Sequence, residues 1–247
     1  WARFFLKEES KLNKRWILSF NFYLQDEISF FKKEKGLWKE IKTGDYFPFS
    51  KREIKARPFA FNIEPNNENP YFIRVKGNPS RIDLTLLESD TFFEKESENN
   101  YIYGLFFGLV IAMIAYNGFI FISTKSLSYF YYTLYVFFYG FLLSTYSGFG
   151  QVFLYNRFTW FNNTGLAFFT GLMELFLILF TFSYLKVDKS TPKTYKAVIF
   201  SICIGIFVSL SAFLFPYGIS MRIGVFLGTI LALIVFFAGL YKIKLNY

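Results

Sequence analysis

Side chains suited to chemistry are scarce in this sequence. It has no histidine and a single cysteine, Cys203, inside an apolar run. A Ser-His-Asp or Cys-His nucleophile, a zinc site of the usual Cys/His kind and an internal disulfide are therefore excluded. No cofactor and no metal site is read from the pattern. The remaining candidates bind rather than react. Trp38 and Tyr46 flank the Gly44-Asp45 turn. With Asp45 and Arg52 they would form an aromatic platform for a sugar or another small ligand, although inward-facing aromatics are commoner in β-rich domains. Arg52 and Arg57 could grip an anion, against the ordinary alternative of solvated surface charges. Glu174 lies in the middle of an apolar stretch, where an ionisable group is costly and marks a functional candidate. Three roles are open to it: a carboxyl hydrogen-bonded to a tyrosine or to Asn117, a switch that two helix packings pair differently, or a proton or ion path. An isolated carboxylate with no second acid or histidine is a poor relay.

The charges divide the chain in two. Of 27 Lys and Arg and 18 Asp and Glu, residues 101–247 keep nine cations and two acids, Glu174 and Asp188. A charged segment of domain size thus precedes an almost uncharged hydrophobic one. This excludes a single soluble enzyme, a disordered chain and a nucleic-acid binder. The net charge of +9 is mostly lysine beside membrane spans and not a basic face for phosphates.

A span of the bilayer needs about 20 apolar residues, each rising about 1.5 Å. Five spans are predicted, at 101–122, 127–147, 164–185, 197–215 and 219–241. The second is the wettest, with Tyr129, Tyr131, Tyr132, Tyr135 and Tyr139, and is expected to line the interior of a bundle in part. If the amino-terminal domain lies outside, Lys125, Lys186, Lys189, Lys193, Lys196, Lys242 and Lys244 lie inside, and only Arg81, Lys95, Arg157 and Arg222 lie outside. That bias favours an outward domain. Gly104, Gly108 and Ala112 in the first span, and Gly224 and Gly228 in the fifth, are spaced by four. They are expected to let helices pack closely within one bundle, with homodimerisation as the second use.

Before the spans, RFFLKEE, RWILSFNFYL, EISFFKK, LWKEIKTG, FAFNIE, YFIRVKG and RIDLTLLES are runs of β-formers separated by Gly, Pro, Asn and Asp. Ile82, Leu84 and Leu86 alternate with Arg81, Asp83 and Thr85. Seven short strands at this spacing predict an antiparallel β-sandwich over residues 1–90. A linker is expected at 91–100 and a membrane helix bundle over 101–247. The start at Trp1, already inside a strand, is read as the edge of a fragment.

Several elements carry a resemblance when taken in order. They are Trp1-Ala2-Arg3-Phe4-Phe5-Leu6, then Gly44-Asp45 with Pro48-Phe49-Ser50 and Arg52, then Tyr71-Phe72-Ile73-Arg74-Val75. In the spans they continue as Tyr103-Gly104-Leu105-Phe106-Phe107-Gly108, Ala115-Tyr116-Asn117 and Tyr129-Phe130-Tyr131-Tyr132. The chain resembles the bacterial seven-transmembrane receptors with diverse intracellular signalling modules. The resemblance implies an extracellular sandwich similar to carbohydrate-binding jelly rolls, a bundle in the bacterial inner membrane, and a cytoplasmic kinase, cyclase or phosphatase module that this chain does not contain. The expected function is a non-catalytic receptor for a small, carbohydrate-like ligand, with the lipid bilayer as its other partner. A polytopic transporter using Glu174 and an envelope-anchored binding module without signalling are the alternatives.

Overall fold

The computed structural model describes residues 1–6, 15–64, 66–77, 83–187 and 192–245. The chain divides into two compact units. The first comprises residues 1–103 together with 144–163, and the second residues 104–143 with 164–247.

Among the described residues the first unit holds seven strands: β1 (Ala2–Leu6), β2 (Trp16–Phe20), β3 (Glu27–Glu34), β4 (Leu37–Thr43), β5 (Phe59–Ile63), β6 (Asn66–Lys76) and β7 (Leu84–Glu88). Each predicted run produced one strand. Lys7–Glu9 at the end of the first run and Arg81 and Ile82 at the start of the last lie outside the described residues. One sheet has the order β1-β6-β3-β4 and the other β5-β2-β7, with every pairing antiparallel. Alternation explains the sandwich. Leu18 and Phe20 of β2, and Phe59, Phe61 and Ile63 of β5, interlock with Ile28 and Phe30 of β3 and Tyr71 and Ile73 of β6. Side chains on successive residues point to opposite faces, so each strand gives the core every second residue. Phe20, Ile28, Phe30 and Phe59 are fully buried.

The three-stranded sheet is covered on its other face as well. Ile17, Ala60 and Leu87 pack with Ile54, Ala56 and Phe92. Phe92 belongs to helix α1 (Ser89–Thr124), which starts directly after β7. The stretch 91–100, expected as a linker, is therefore helix. Burying Phe92 holds its first turns to the sheet with roughly 2–3 kcal/mol of apolar burial.

The second unit contains the rest of α1, α2 (Leu127–Tyr146) up to residue 143, α4 (Trp160–Tyr184) from residue 164, α5 (Pro192–Leu214) and α6 (Tyr217–Leu245). A five-residue helix, α3 (Phe149–Phe153), belongs to the first unit. Among the described residues, four helices, α1, α4, α5 and α6, are long and apolar enough to cross a membrane. The tyrosine-bearing α2, read from the sequence as the wettest of five spans, falls short of that measure. Ile178 and Phe182 of α4, Ile204 and Val208 of α5, and Leu231 and Ala238 of α6 form one apolar cluster. Helix α2 packs on α4 through stacked Phe138 and Phe176, 5.4 Å apart, and through Tyr132 and Phe180, 5.2 Å apart.

Candidate functional site

Two features of the first unit are candidates for binding and transmission. One is the outer face of the four-stranded sheet. Pairing sets Phe72 of β6 opposite Phe31 of β3, Phe31 opposite Glu40 of β4, and Lys33 opposite Trp38. These side chains point away from the core because their neighbours Ile73, Phe30 and Ile41 point into it. Trp38 meets Phe72 edge-on at 5.4 Å, and Trp1 stacks on Phe31 at 5.5 Å with the Arg74 guanidinium over its ring. Arg74 is held by Glu27 at 2.8 Å. Trp1 and Trp38 remain 77% and 52% exposed. Solvent-facing rings edged with Arg, Lys and Glu can meet both the C–H face and the hydroxyls of a sugar.

Tyr46 is not part of this face. Trp38 stands beside the Lys35-Gly36 turn at one end of β4, and Tyr46 follows the other end at Thr43. The five residue steps from Trp38 to Thr43 span about 17 Å, so the expected Trp38–Tyr46 platform does not assemble. The Gly44-Asp45-Tyr46 turn instead docks on Gln25 and Asp26, with the Asp45 N–H donating to Gln25 O at 2.8 Å and that of Tyr46 to Asp26 O at 3.3 Å. Gly44 adopts φ 140°, and a Cβ there would collide with the Asp26 carbonyl. Burial raises the Tyr46 hydroxyl pKa, and Asp26 and Asp45 raise it further.

The second feature lies under the three-stranded sheet. Arg52 and Arg57 were expected at the surface, yet each is only 3% exposed. The Arg52 guanidinium donates to Ala56 O at 2.7 Å, to Arg57 O and to Gln151 Oε1 of α3, and it lies 4.3 Å over the Phe59 ring. Burial pushes its pKa down to about 9, against the pull of Asp45, Tyr23 and Glu96. It therefore remains charged at neutral pH, and its hydrogen bonds stand in for lost water. Arg57 sits between the rings of Tyr23 (5.0 Å) and Tyr103 (4.3 Å), with Glu96 of α1 3.6 Å away. Its Nη1 makes a long bond of 3.5 Å to Ser147 O. The hydroxyl of Tyr23 is raised, chiefly by burial.

The segment between α2 and α4 completes this node. Gln151 Nε2 donates to Phe47 O at 3.1 Å, Asn162 Nδ2 to Asp45 O at 2.9 Å, and the Phe49 N–H to Asn156 O at 3.2 Å. Gly148 has φ 71°, and a Cβ there would press on the Tyr23 ring. Within this unit, the strand-connecting turn 44–57, the first turns of α1 and the segment 144–163 are thus joined through two buried cations. Gln151 and Glu96 were not singled out by the sequence. The only hint was the cluster of amides and aromatics in the 148–163 joint.

In the second unit, Glu174 is buried with its Oε1 against Gly228 of α6, where a Cβ would overlap it, and its Oε2 has no hydrogen-bond partner among the described residues. The expected partner Asn117 donates to Met113 O on its own helix at 2.8 Å. Gly224 packs against Val208 and Thr170. The spaced glycines of α6 therefore do pack helices closely. Gly104 and Gly108 of α1 do not: a Cβ on either meets nothing within 4 Å, and Ala112 is exposed. Among the described residues, no cluster of His, Cys, Asp or Glu could hold a metal ion.

A β-sandwich followed by a bundle of apolar helices defines a membrane protein with a β domain at its amino-terminal end. Comparison with known families makes this specific. Residues 99–247 match the family described as 7TM diverse intracellular signalling, and residues 1–88 match the domain described as 7TMR-DISM extracellular 2. The chain belongs to that family: it has an extracellular amino-terminal β domain and membrane-spanning helices, with receptor-like signalling as its business. No curated protein matches it. No solved structure matches it either.

Proposed function

We propose that this chain is the sensing and transmitting part of a bacterial inner-membrane receptor, without an enzyme site of its own. A small, sugar-like ligand docks on the sheet face built from Trp1, Phe31, Trp38 and Phe72, and a cytoplasmic module reads the result. The observation that carries this reading is the exposed, mutually packed aromatic face edged by Arg74, Glu27, Lys33 and Glu40. The buried Arg52 and Arg57 node is the route out of the sandwich, because it bonds the sheet's connecting turn to α1 and to the segment between α2 and α4. A ligand shifts such a device only by binding one of its two arrangements better than the other.

The test is intrinsic tryptophan fluorescence of the intact protein against a panel of neutral oligosaccharides. A saturable change for at least one sugar, weakened about threefold to tenfold by Trp38→Ala and untouched by Tyr46→Ala, supports the site; stacking contacts of this kind are worth about 0.5–1.5 kcal/mol beyond area burial. A panel with no response, or binding that survives Trp38→Ala and Phe72→Ala together, removes the sheet face as the ligand site.

A further inference from the structure

A cavity of roughly 400 Å³ lies wholly within the second unit, between α1, α2 and α4. The receptor reading gives it no role. Its polar lining comes from Asn117, Ser126, Ser128, Ser183 and Lys186. Tyr129, Tyr132 and Tyr184 supply amphipathic rings beside them. Ser128 and Ser183 share one proton across 2.9 Å, which leaves a second O–H of the pair to donate elsewhere. Lys186 closes α4 at φ 48°, and Lys125 closes α1 at φ 55°. Both are left-handed terminal positions where glycine is the usual residue, so each helix end next to the cavity carries a cation.

Depth identifies the occupant. The amino-terminal domain is extracellular, and α1 leaves it at Tyr103 to end at Thr124. About 20 residues of helix cross one hydrocarbon core, so the cavity opens at the inner headgroup level. Beside it, Ile122 and Leu127 are 64% and 54% exposed, as suits contact with acyl chains. Basic, polar pockets between helices on this side of a membrane suit acidic headgroups.

We propose that the cavity binds the phosphate of an acidic phospholipid of the inner leaflet. Lys186 supplies the charge, the hydroxyls of Ser126, Ser128 and Ser183 donate to the phosphate oxygens, and the tyrosines pack on the glycerol. The assignment is independent of the sugar reading of the sandwich. It is tested on the intact protein in phosphatidylcholine nanodiscs with graded phosphatidylglycerol, reading lipid retained by native mass spectrometry. Selective retention of phosphatidylglycerol is expected, with Lys186→Gln weakening it about fivefold. Ser183→Ala, which leaves the helix end intact, should weaken it in the same direction. Lys196→Gln, at an inner lysine outside the cavity, should leave it unchanged. Equal retention of phosphatidylcholine, or equal losses from Lys186→Gln and Lys196→Gln, overturns the site. Displacement of the lipid by millimolar inorganic phosphate overturns the lipid source and assigns the same anion chemistry to a soluble phosphate ester.

Discussion

Gln151 offers the sharpest perturbation of the transmission node. Its amide accepts from the Arg52 guanidinium and donates to Phe47 O at 3.1 Å. Gln151→Ala removes both bonds and leaves a buried cation and a carbonyl short of partners. A hydrogen bond to a charged group is worth about 1.5–3 kcal/mol and a neutral one about 1 kcal/mol. The loss is therefore about 2.5–4 kcal/mol, or roughly a hundredfold to thousandfold in the equilibrium for opening the 144–163 segment. Hydrogen exchange of the intact protein, followed peptide by peptide, reads this directly. Amides in 147–156 should exchange faster by that factor, while β2, β3 and β5 keep their protection because the sandwich core does not involve Gln151. If the node transmits the signal, the variant also binds ligand normally and responds weakly. A change under threefold in the segment would refute the reasoning, since it would mean that the Gln151 bonds do not hold the segment in place.

Other expectations concern separate parts of the molecule. Gly228→Ala should destabilise the helix bundle by about 1–3 kcal/mol, because the new Cβ overlaps Glu174 Oε1. Adding Glu174→Ala should recover much of that loss, and a double-mutant cycle on thermal unfolding in nanodiscs shows whether the two are coupled. Lys32 is buried, which opposes its charge, but Glu53 at 2.9 Å and Glu34 at 3.1 Å outweigh burial and raise its pKa above the model-peptide 10.5. Its stabilising contribution is thus complete below pH 10.5 and lost as pH rises through the folded value. From neutrality upward, the melting-temperature difference between wild type and Lys32→Met should hold until that alkaline range and shrink there; shrinkage near neutrality would contradict the ion pairs. Arg57→Lys should keep the charge beside Glu96 but lose the flat stacking between Tyr23 and Tyr103, at about 1–2 kcal/mol, measurable as loss of exchange protection at the start of α1.

The sequence by itself determined the elements. Periodicity of two and the breakers between runs are local signals, and each of the seven runs became a strand. Long apolar stretches require no tertiary context to be recognised as membrane helices, and the charge split separated the two halves of the chain. Helix α2 was legible as the wet one because its tyrosines are visible in the residue string. Continuity of 89–100 with α1 was not, since the charged residues of ESDTFFEKESENN read as a linker until Phe92 has a sheet to pack against.

Only the tertiary structure decided which of these residues act together. Trp38 and Tyr46 are close in sequence, yet an extended strand carries them apart, whereas pairing across three strands brings Trp38 to Phe72 and Phe31. Arg52 and Arg57 look like solvated turn cations, and their burial depends on Gln151 and Ser147, 99 and 90 residues away. Glu174 finds its neighbour where α6 has a glycine, and the cavity beside Lys186 exists only because the ends of α1 and α4 meet the start of α2. Strand and helix periodicity is set by local backbone geometry, so one sequence displays it. Partnerships across a register or a helix crossing depend on the folded path of the chain, and residue types and spacing alone do not encode them legibly.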